Sequence, residues 1–264
     1  MMKYEPYFRR TEFRSPAKHF WFKGINRGVV YPLIPKNGCS SFKNFLSSRF
    51  HWRYFVRIAV DKILQQGSAK RLVWPYWEVC VSAKVIEQND FIFVYRDPAD
   101  RLVSAFKNKF IDNRGSRKIL SSFQNAMRIS PEDACFNDFV EYTAHPFASI
   151  DAHVWPQKAQ LLPVSYLTIK LGDLMKEMSK IVGSAQAEHF FKKRLNQSEQ
   201  APKPMDANAA DLPVHTLRRA RSQGLGVTGA QLLTSDNLSR IRGVYWQDYE
   251  MLERFLHETT HGSV

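Results

Sequence analysis

A chain of 264 residues, 44% of them hydrophobic and 13% aromatic, carries enough apolar material for one large α/β core or two small domains. Its 38 Lys and Arg against 25 Asp and Glu leave a net charge of +13, a field that favours nucleotides, nucleic acid, acidic glycans or membrane surfaces without choosing among them. Three widely spaced cysteines, Cys39, Cys80 and Cys135, give neither a disulfide framework nor a metal-ligand spacing and suit a reducing compartment.

Residues 1–27 are rich in Phe, Tyr, Trp, Lys and Arg. They read as an N-terminal extension packed on a main domain over residues 28–264. No apolar signal-peptide region stands at the start, and no window approaches the roughly 18 consecutive apolar residues of a membrane span. The expectation is a soluble, cytoplasmic protein. Gly28 to Ile34 reads as a buried strand, and Ser40 or Ser41 as the N-cap of a helix carrying Phe42, Phe45, Leu46 and Arg49. That helix is expected to bend before the Phe55–Leu64 segment. Residues 79–85 are a weaker strand candidate.

The run Phe91-Ile92-Phe93-Val94-Tyr95 is continuous, aromatic and β-branched, as in a strand covered on both faces. Asp97 then fits an N-cap, Pro98 the first helical position and Asp100 the first turn. The helix they open presents Leu102, Val103, Phe106 and Phe110 on one apolar side. Phe136–Thr143 reads as a short helix and Val164–Ile169 as a further strand. Residues 196–213 have loop composition, a lid or a surface excursion. A single long helix is expected from Thr234 or Ser235 to about Leu256. Strands alternating with helices predict an α/β fold, one domain with a mainly parallel sheet flanked by helices. Ligands of such sheets bind outside the carboxyl ends of the strands.

Two segments at those ends carry chemistry. In Pro35-Lys36-Asn37-Gly38-Cys39-Ser40-Ser41, a strand feeds a small-residue loop that opens a helix, so backbone N–H groups and the positive helix end converge on one point suited to phosphate or sulfate. An ATP-binding loop reads G-x-x-x-x-G-K-[ST]; here Lys36 precedes Gly38, and no lysine precedes Ser40. The second segment places Arg96, whose planar fork suits phosphate, at the next strand end. Arg101, Ser104 and Asn108 follow on one helix face. Two anion sites on neighbouring strands imply a ligand with two separated phosphates. Cys39 reads as a packing residue of the loop rather than a nucleophile, and Arg101 as structural rather than a phosphate contact.

These two segments together resemble the phosphosulfate loop and the 3′-phosphate motif of sulfotransferases that use 3′-phosphoadenosine 5′-phosphosulfate (PAPS). The wording P-K-x-G-C-[ST], with R-D-P-x-x-R-L-[VL]-S-A-[FY] over Arg96 to Phe106, is most similar to the carbohydrate sulfotransferases of the chondroitin and dermatan type, sulfotransferase family 2. The segment Asp151-Ala152-His153-Val154-Trp155-Pro156-Gln157 resembles that family's H-W-x-P-Q, with Val154 standing between His153 and Trp155. Tyr166 to Asp173 and Tyr245-Trp246-Gln247-Asp248-Tyr249 resemble later family segments. The resemblance runs from about residue 28 to 256 and implies a fold related to nucleotide kinases, PAPS as donor, and a hydroxyl-bearing acceptor, carbohydrate or glycoconjugate.

Carried over residue by residue, the resemblance places Lys36, Asn37, Gly38, Cys39, Ser40 and Ser41 on the 5′-phosphosulfate. Arg96 and Ser104 fall on the 3′-phosphate, and Asn196 and Ser198 on a late N-x-S that closes over the nucleotide. It requires no metal, and no nucleic-acid partner is expected. Lys36 would stabilise the charge that grows on the bridging oxygen. A general base is also needed; His153 leads, with Glu78 and His51 as alternatives. Two other functions remain open from the residues alone. One is a small-molecule kinase with an atypical phosphate loop; the other is a non-catalytic polyanion-binding protein.

Overall fold

A computed structural model describes residues 17–48, 83–192, 203–205 and 208–261. The backbone runs through β1 (His19–Lys23), β2 (Gly28–Pro32), α1 (Cys39–Ser48), α2 (Ala83–Gln88), β3 (Asn89–Tyr95), α3 (Pro98–Phe106), α4 (Arg117–Met127) and α5 (Phe136–Thr143). It continues through β4 (Leu167–Lys170), α6 (Leu174–Val182), α7 (Ser184–Phe191), β5 (Lys203–Pro204), α8 (Val214–Ser222), β6 (Leu225–Gly226), α9 (Gly229–Leu232), α10 (Ser235–Val244) and α11 (Trp246–His261).

The main sheet has four strands in the order β1-β2-β3-β4. β2, β3 and β4 are mutually parallel, with Val30 opposite Phe91 and Tyr95 opposite Lys170. The edge strand β1 is antiparallel to β2, with Phe20 opposite Tyr31, so residues 19–23 belong to the sheet itself. Successive residues of β3 point to opposite faces. Ile92 and Val94 join Phe42 and Phe45 of α1, Leu174 and Met178 of α6 and Phe191 of α7 in one buried cluster. Phe93 points the other way, onto Met251 of α11. The sheet is therefore covered on both faces, which explains why β3 is apolar without alternation. A second core is helical: Leu102 and Phe106 of α3, Phe123 of α4 and Phe139 of α5 pack with Leu217 and Ile241. The result is one α/β domain with a mainly parallel sheet flanked by helices.

Several expected elements move. α1 begins at Cys39, because the Gly38 carbonyl already accepts the N–H groups of Ser41 (3.0 Å) and Phe42 (3.3 Å); Ser40 and Ser41 lie inside the first turn rather than capping it. Of the weak strand at 79–85, the described part is helical, in α2. The strand expected at Val164–Ile169 pairs only over Leu167–Lys170. The long final helix is two helices broken at Tyr245, whose buried hydroxyl donates to the Val154 carbonyl at 2.5 Å. Described residues between 203 and 213 are pinned to the core: β5 pairs with β6, and Ala209 and Ala210 are buried. Arg49 and the Phe55–Leu64 segment lie outside the described residues. Among the described residues, no helix is long and apolar enough to cross a membrane.

Candidate active site

The loop after β2 turns sharply. The Asn37 N–H returns to the Ile34 carbonyl at 3.3 Å, and both Lys36 (φ 73°) and Gly38 (φ 77°) adopt left-handed backbone. At Gly38 the conformation suits glycine, and a Cβ there would also lie 3.1 Å from both Leu171 Cδ1 and Leu174 Cδ2. At Lys36 the same conformation is strained for a residue with a side chain, by about 1 kcal/mol or more. The loop then delivers the first turn of α1, so the positive end of that helix faces the loop.

The second loop leaves β3 one strand away. The Asp97 carboxylate accepts from the N–H groups of Ala99 (2.8 Å) and Asp100 (3.1 Å), and Pro98 opens α3. Ser104 sits two turns further along, half-buried. Arg96, also half-buried, donates through Nη1 to the Lys36 carbonyl at 3.4 Å. The two predicted anion loops therefore meet. Burial lowers the pKa of Lys36 to about 8; the positive charges of Lys109 and Arg96 push the same way, while Cys39 and Asp112 oppose them.

His153 also belongs to this neighbourhood. Its Nδ1 lies 2.5 Å from Asp151 Oδ1, and its backbone N–H donates to the same oxygen at 2.8 Å. Burial holds the imidazole below its ordinary range against the pull of Asp151, and the charges of Lys109 and Lys36 reinforce burial. Burial works against the Asp151 carboxylate too. The bonds and charge of His153 and the Lys109 ammonium outweigh it, so Asp151 ionises below the usual carboxylate range. The consistent state near neutrality is an anionic Asp151 accepting Nδ1–H of a neutral His153, which leaves Nε2 as a proton acceptor. Lys109 is itself buried, with its Nζ donating to the carbonyls of Arg114 (2.9 Å) and Gly115 (3.1 Å).

Two buried side chains fasten the 151–158 segment to both loops. Arg101 is fully enclosed, and its guanidinium donates to the carbonyls of Pro35 (3.1 Å), Trp155 (2.7 Å) and Ala152 (3.0 Å). Gln157 receives Asn37 Nδ2 (2.5 Å) and the Arg96 N–H (3.2 Å) on Oε1, and donates Nε2 to the Arg96 carbonyl (2.8 Å). Behind it, the buried Asp248 carboxylate accepts the N–H groups of Gln157 and Lys158, each at 2.8 Å. Asn37 Nδ2 also donates to the Val94 carbonyl at 2.8 Å, so its side chain faces the interior.

The structure thus brings the loop of Lys36, Asn37, Gly38, Cys39, Ser40 and Ser41 together with Arg96 and the 151–158 segment around two adjoining strand ends, with Ser104 two turns into the helix that follows Arg96. Arg101, which the spacing placed on one face with Ser104 and Asn108, is structural, as expected: its guanidinium is taken up by three carbonyls. Glu78, His51, Asn196 and Ser198 lie outside the described residues. Sequence reasoning assigned no role to Lys109, nor to Asp151, Gln157 and Asp248, although the last three lie in the segments that resemble the family's. A carboxylate two residues before the candidate histidine was the signal available for Asp151.

A model of the sulfotransferase family, family 2, matches residues 18–253, most of the chain. The chain belongs to this family. It is a sulfotransferase, an enzyme of the transferase class. The matched span includes β1, both anion loops and the Asp151–His153 pair. No curated protein and no solved structure matches the chain.

Proposed function

We propose that this sulfotransferase takes its sulfuryl group from PAPS and delivers it to a hydroxyl of a carbohydrate or glycoconjugate. The observation that carries the reading is the meeting of Lys36, Arg96 and the Asp151–His153 pair at the ends of adjoining parallel strands. The donor set fits a polyanion, because Lys36 loses its proton easily in a buried, positively charged setting that bound phosphate would relieve. When bound, PAPS supplies an activated sulfuryl group at one end and a 3′-phosphate at the other.

In this reading residues Lys36 to Ser41 hold the phosphosulfate end, while Arg96 and Ser104 hold the 3′-phosphate. Lys36 stabilises the charge that develops on the oxygen bridging phosphorus and sulfur. His153 Nε2 takes the proton of the acceptor hydroxyl as its oxygen bonds to sulfur; the bond from sulfur to the bridging oxygen breaks, and 3′,5′-ADP departs. The wording of the two loops supports a carbohydrate acceptor. Cys39 and Cys135, both free thiols, support a reducing, cytoplasmic setting.

Adding 3′,5′-ADP is expected to raise the melting temperature, with about 2.7 kcal/mol of stabilisation at a concentration near 100 times its Kd. An unchanged melting temperature at saturating ligand would sink the PAPS assignment. Labelled PAPS with a panel of hydroxylated acceptors then identifies the acceptor.

His153→Ala is expected to keep 3′,5′-ADP affinity and to lower transfer by about 10²–10⁴-fold. The pH profile of kcat/KM for the donor should be a bell. Activity rises as His153 loses its proton below its ordinary pKa of 6.5 and falls as Lys36 loses its own near 8. In kcat the alkaline limb should move upward, since bound phosphate favours the Lys36 ammonium. His153→Ala should remove the acid limb; an acid limb that persists in the variant would assign the base elsewhere.

A further inference from the structure

We propose that Gln157 is a positioning residue that sets the spacing of the two anion-binding loops, and so makes the chain selective for ligands carrying two separated phosphates over those carrying one. The proposal rests on the donor reading above, and it concerns a residue that has no surface on the site.

Gln157 is fully buried, and all the capacity of its side-chain amide is used. Oε1 takes two donors, Asn37 Nδ2 at 2.5 Å and the Arg96 N–H at 3.2 Å; Nε2 gives its two protons to the Arg96 carbonyl at 2.8 Å and Asp248 Oδ2 at 3.4 Å. The amide therefore grips both the N–H and the C=O of Arg96, as a neighbouring strand would, and fixes the main chain from which the guanidinium springs. Through the same oxygen it holds Asn37, which lies between Lys36 and Gly38. One planar group thus touches both loops, 61 residues and 120 residues away along the chain.

A second layer fixes Gln157 in turn. Asp248 accepts its backbone N–H at 2.8 Å, and the Lys158 N–H at the same distance. Asn37 Nδ2 is anchored independently on the Val94 carbonyl. Each loop keeps its own local support when Gln157 is lost: Asp97 caps α3, and Gly38 turns into α1. What is lost is the fine register of the Arg96 main chain against Asn37, since Arg101 on the Pro35 carbonyl and Arg96 Nη1 on the Lys36 carbonyl keep the loops coarsely together. A ligand with one phosphate feels one loop, whereas a ligand with two gains affinity only if both phosphates reach their sites together.

The test is calorimetric titration of the full chain and its Gln157→Met variant with 3′,5′-ADP and with 5′-AMP. The wild type should bind 3′,5′-ADP about 10²–10³-fold more tightly than 5′-AMP, the gain expected from linking two sites in register. In Gln157→Met that advantage should shrink by about tenfold or more, with 5′-AMP affinity held within about threefold. Equal proportional losses for both ligands, or no loss for either, would overturn the proposal. A wild type without preference for 3′,5′-ADP would overturn the two-phosphate reading, and the proposal with it. Should Gln157→Met not fold, Asp248→Asn weakens the same grip at one remove. It should show the same selective loss at smaller amplitude; a parallel loss of both ligands there would count against the proposal equally.

Discussion

Replacing Lys36 by alanine is expected to lower sulfuryl transfer by about 10²–10³-fold while moving the unfolding midpoint by no more than a few degrees. The two halves of this expectation have separate causes. In the proposed mechanism activity falls because the variant lacks the buried ammonium beside Arg96 and Lys109 that would stabilise the charge developing during transfer. Stability is spared because the folded state gains little from that charge, which burial and like-charged neighbours disfavour.

Lys36→Gly sharpens the contrast. It removes the same ammonium, but glycine adopts φ 73° without the penalty that lysine and alanine share. The glycine variant should therefore be as inactive as the alanine variant and more stable by about 1 kcal/mol. Thermal melts beside initial rates with labelled donor decide the matter. Turnover near wild type in either variant removes Lys36 from the mechanism, and a folded fraction lost in both would make the loop charge structural.

Arg101→Met is expected to cost about 3–5 kcal/mol of folding stability, the scale of breaking a buried charged network. The methionine roughly fills the aliphatic volume but leaves the carbonyls of Pro35, Ala152 and Trp155 without the guanidinium that serves all three. Arg101→Lys should recover only part of the loss. A single ammonium on a flexible stem cannot reproduce a planar fork reaching from the first anion loop to the His153 segment. Urea unfolding with an unchanged slope measures the difference. A midpoint for Arg101→Met equal to that of the wild type would show that water replaces the fork at no cost.

Local rules made much of the architecture legible. The apolar run at 91–95, the Asp97-Pro98 start of α3 and the helix at 136–143 all depend on residues within a turn or two of one another, and they appear where those rules place them. The turn at 35–41 and the placement of Arg96 at the end of β3 were readable for the same reason, and the proposed anion binding is built on them. Features set by distant partners were not. The break at Tyr245 exists because its hydroxyl reaches Val154 and Asp248 reaches the 157–158 backbone, contacts about ninety positions away that helical periodicity does not register. β1 was hidden by its aromatic and basic composition, since an edge strand needs only one apolar face. Lys36 in left-handed backbone had no signal, because lysine seldom adopts that conformation. Gln157 closed the segment resembling the family's H-W-x-P-Q but was given no role, because its partners Asn37, Arg96 and Asp248 are brought together only by folding.

The tie between Gln157 and Asp248 has a consequence for how the enzyme matures on the ribosome. β2, α1, β3 and α3 emerge early and pack through parallel pairings, yet the carboxylate that completes the buried grip is made 91 residues after the glutamine it holds. Until α11 is made, the N–H groups of Gln157 and Lys158 have water rather than the Asp248 carboxylate as acceptor. The grip on which the proposed loop spacing depends is thus complete only once α11 docks, so preference for a two-phosphate ligand should be the last part of the site to mature.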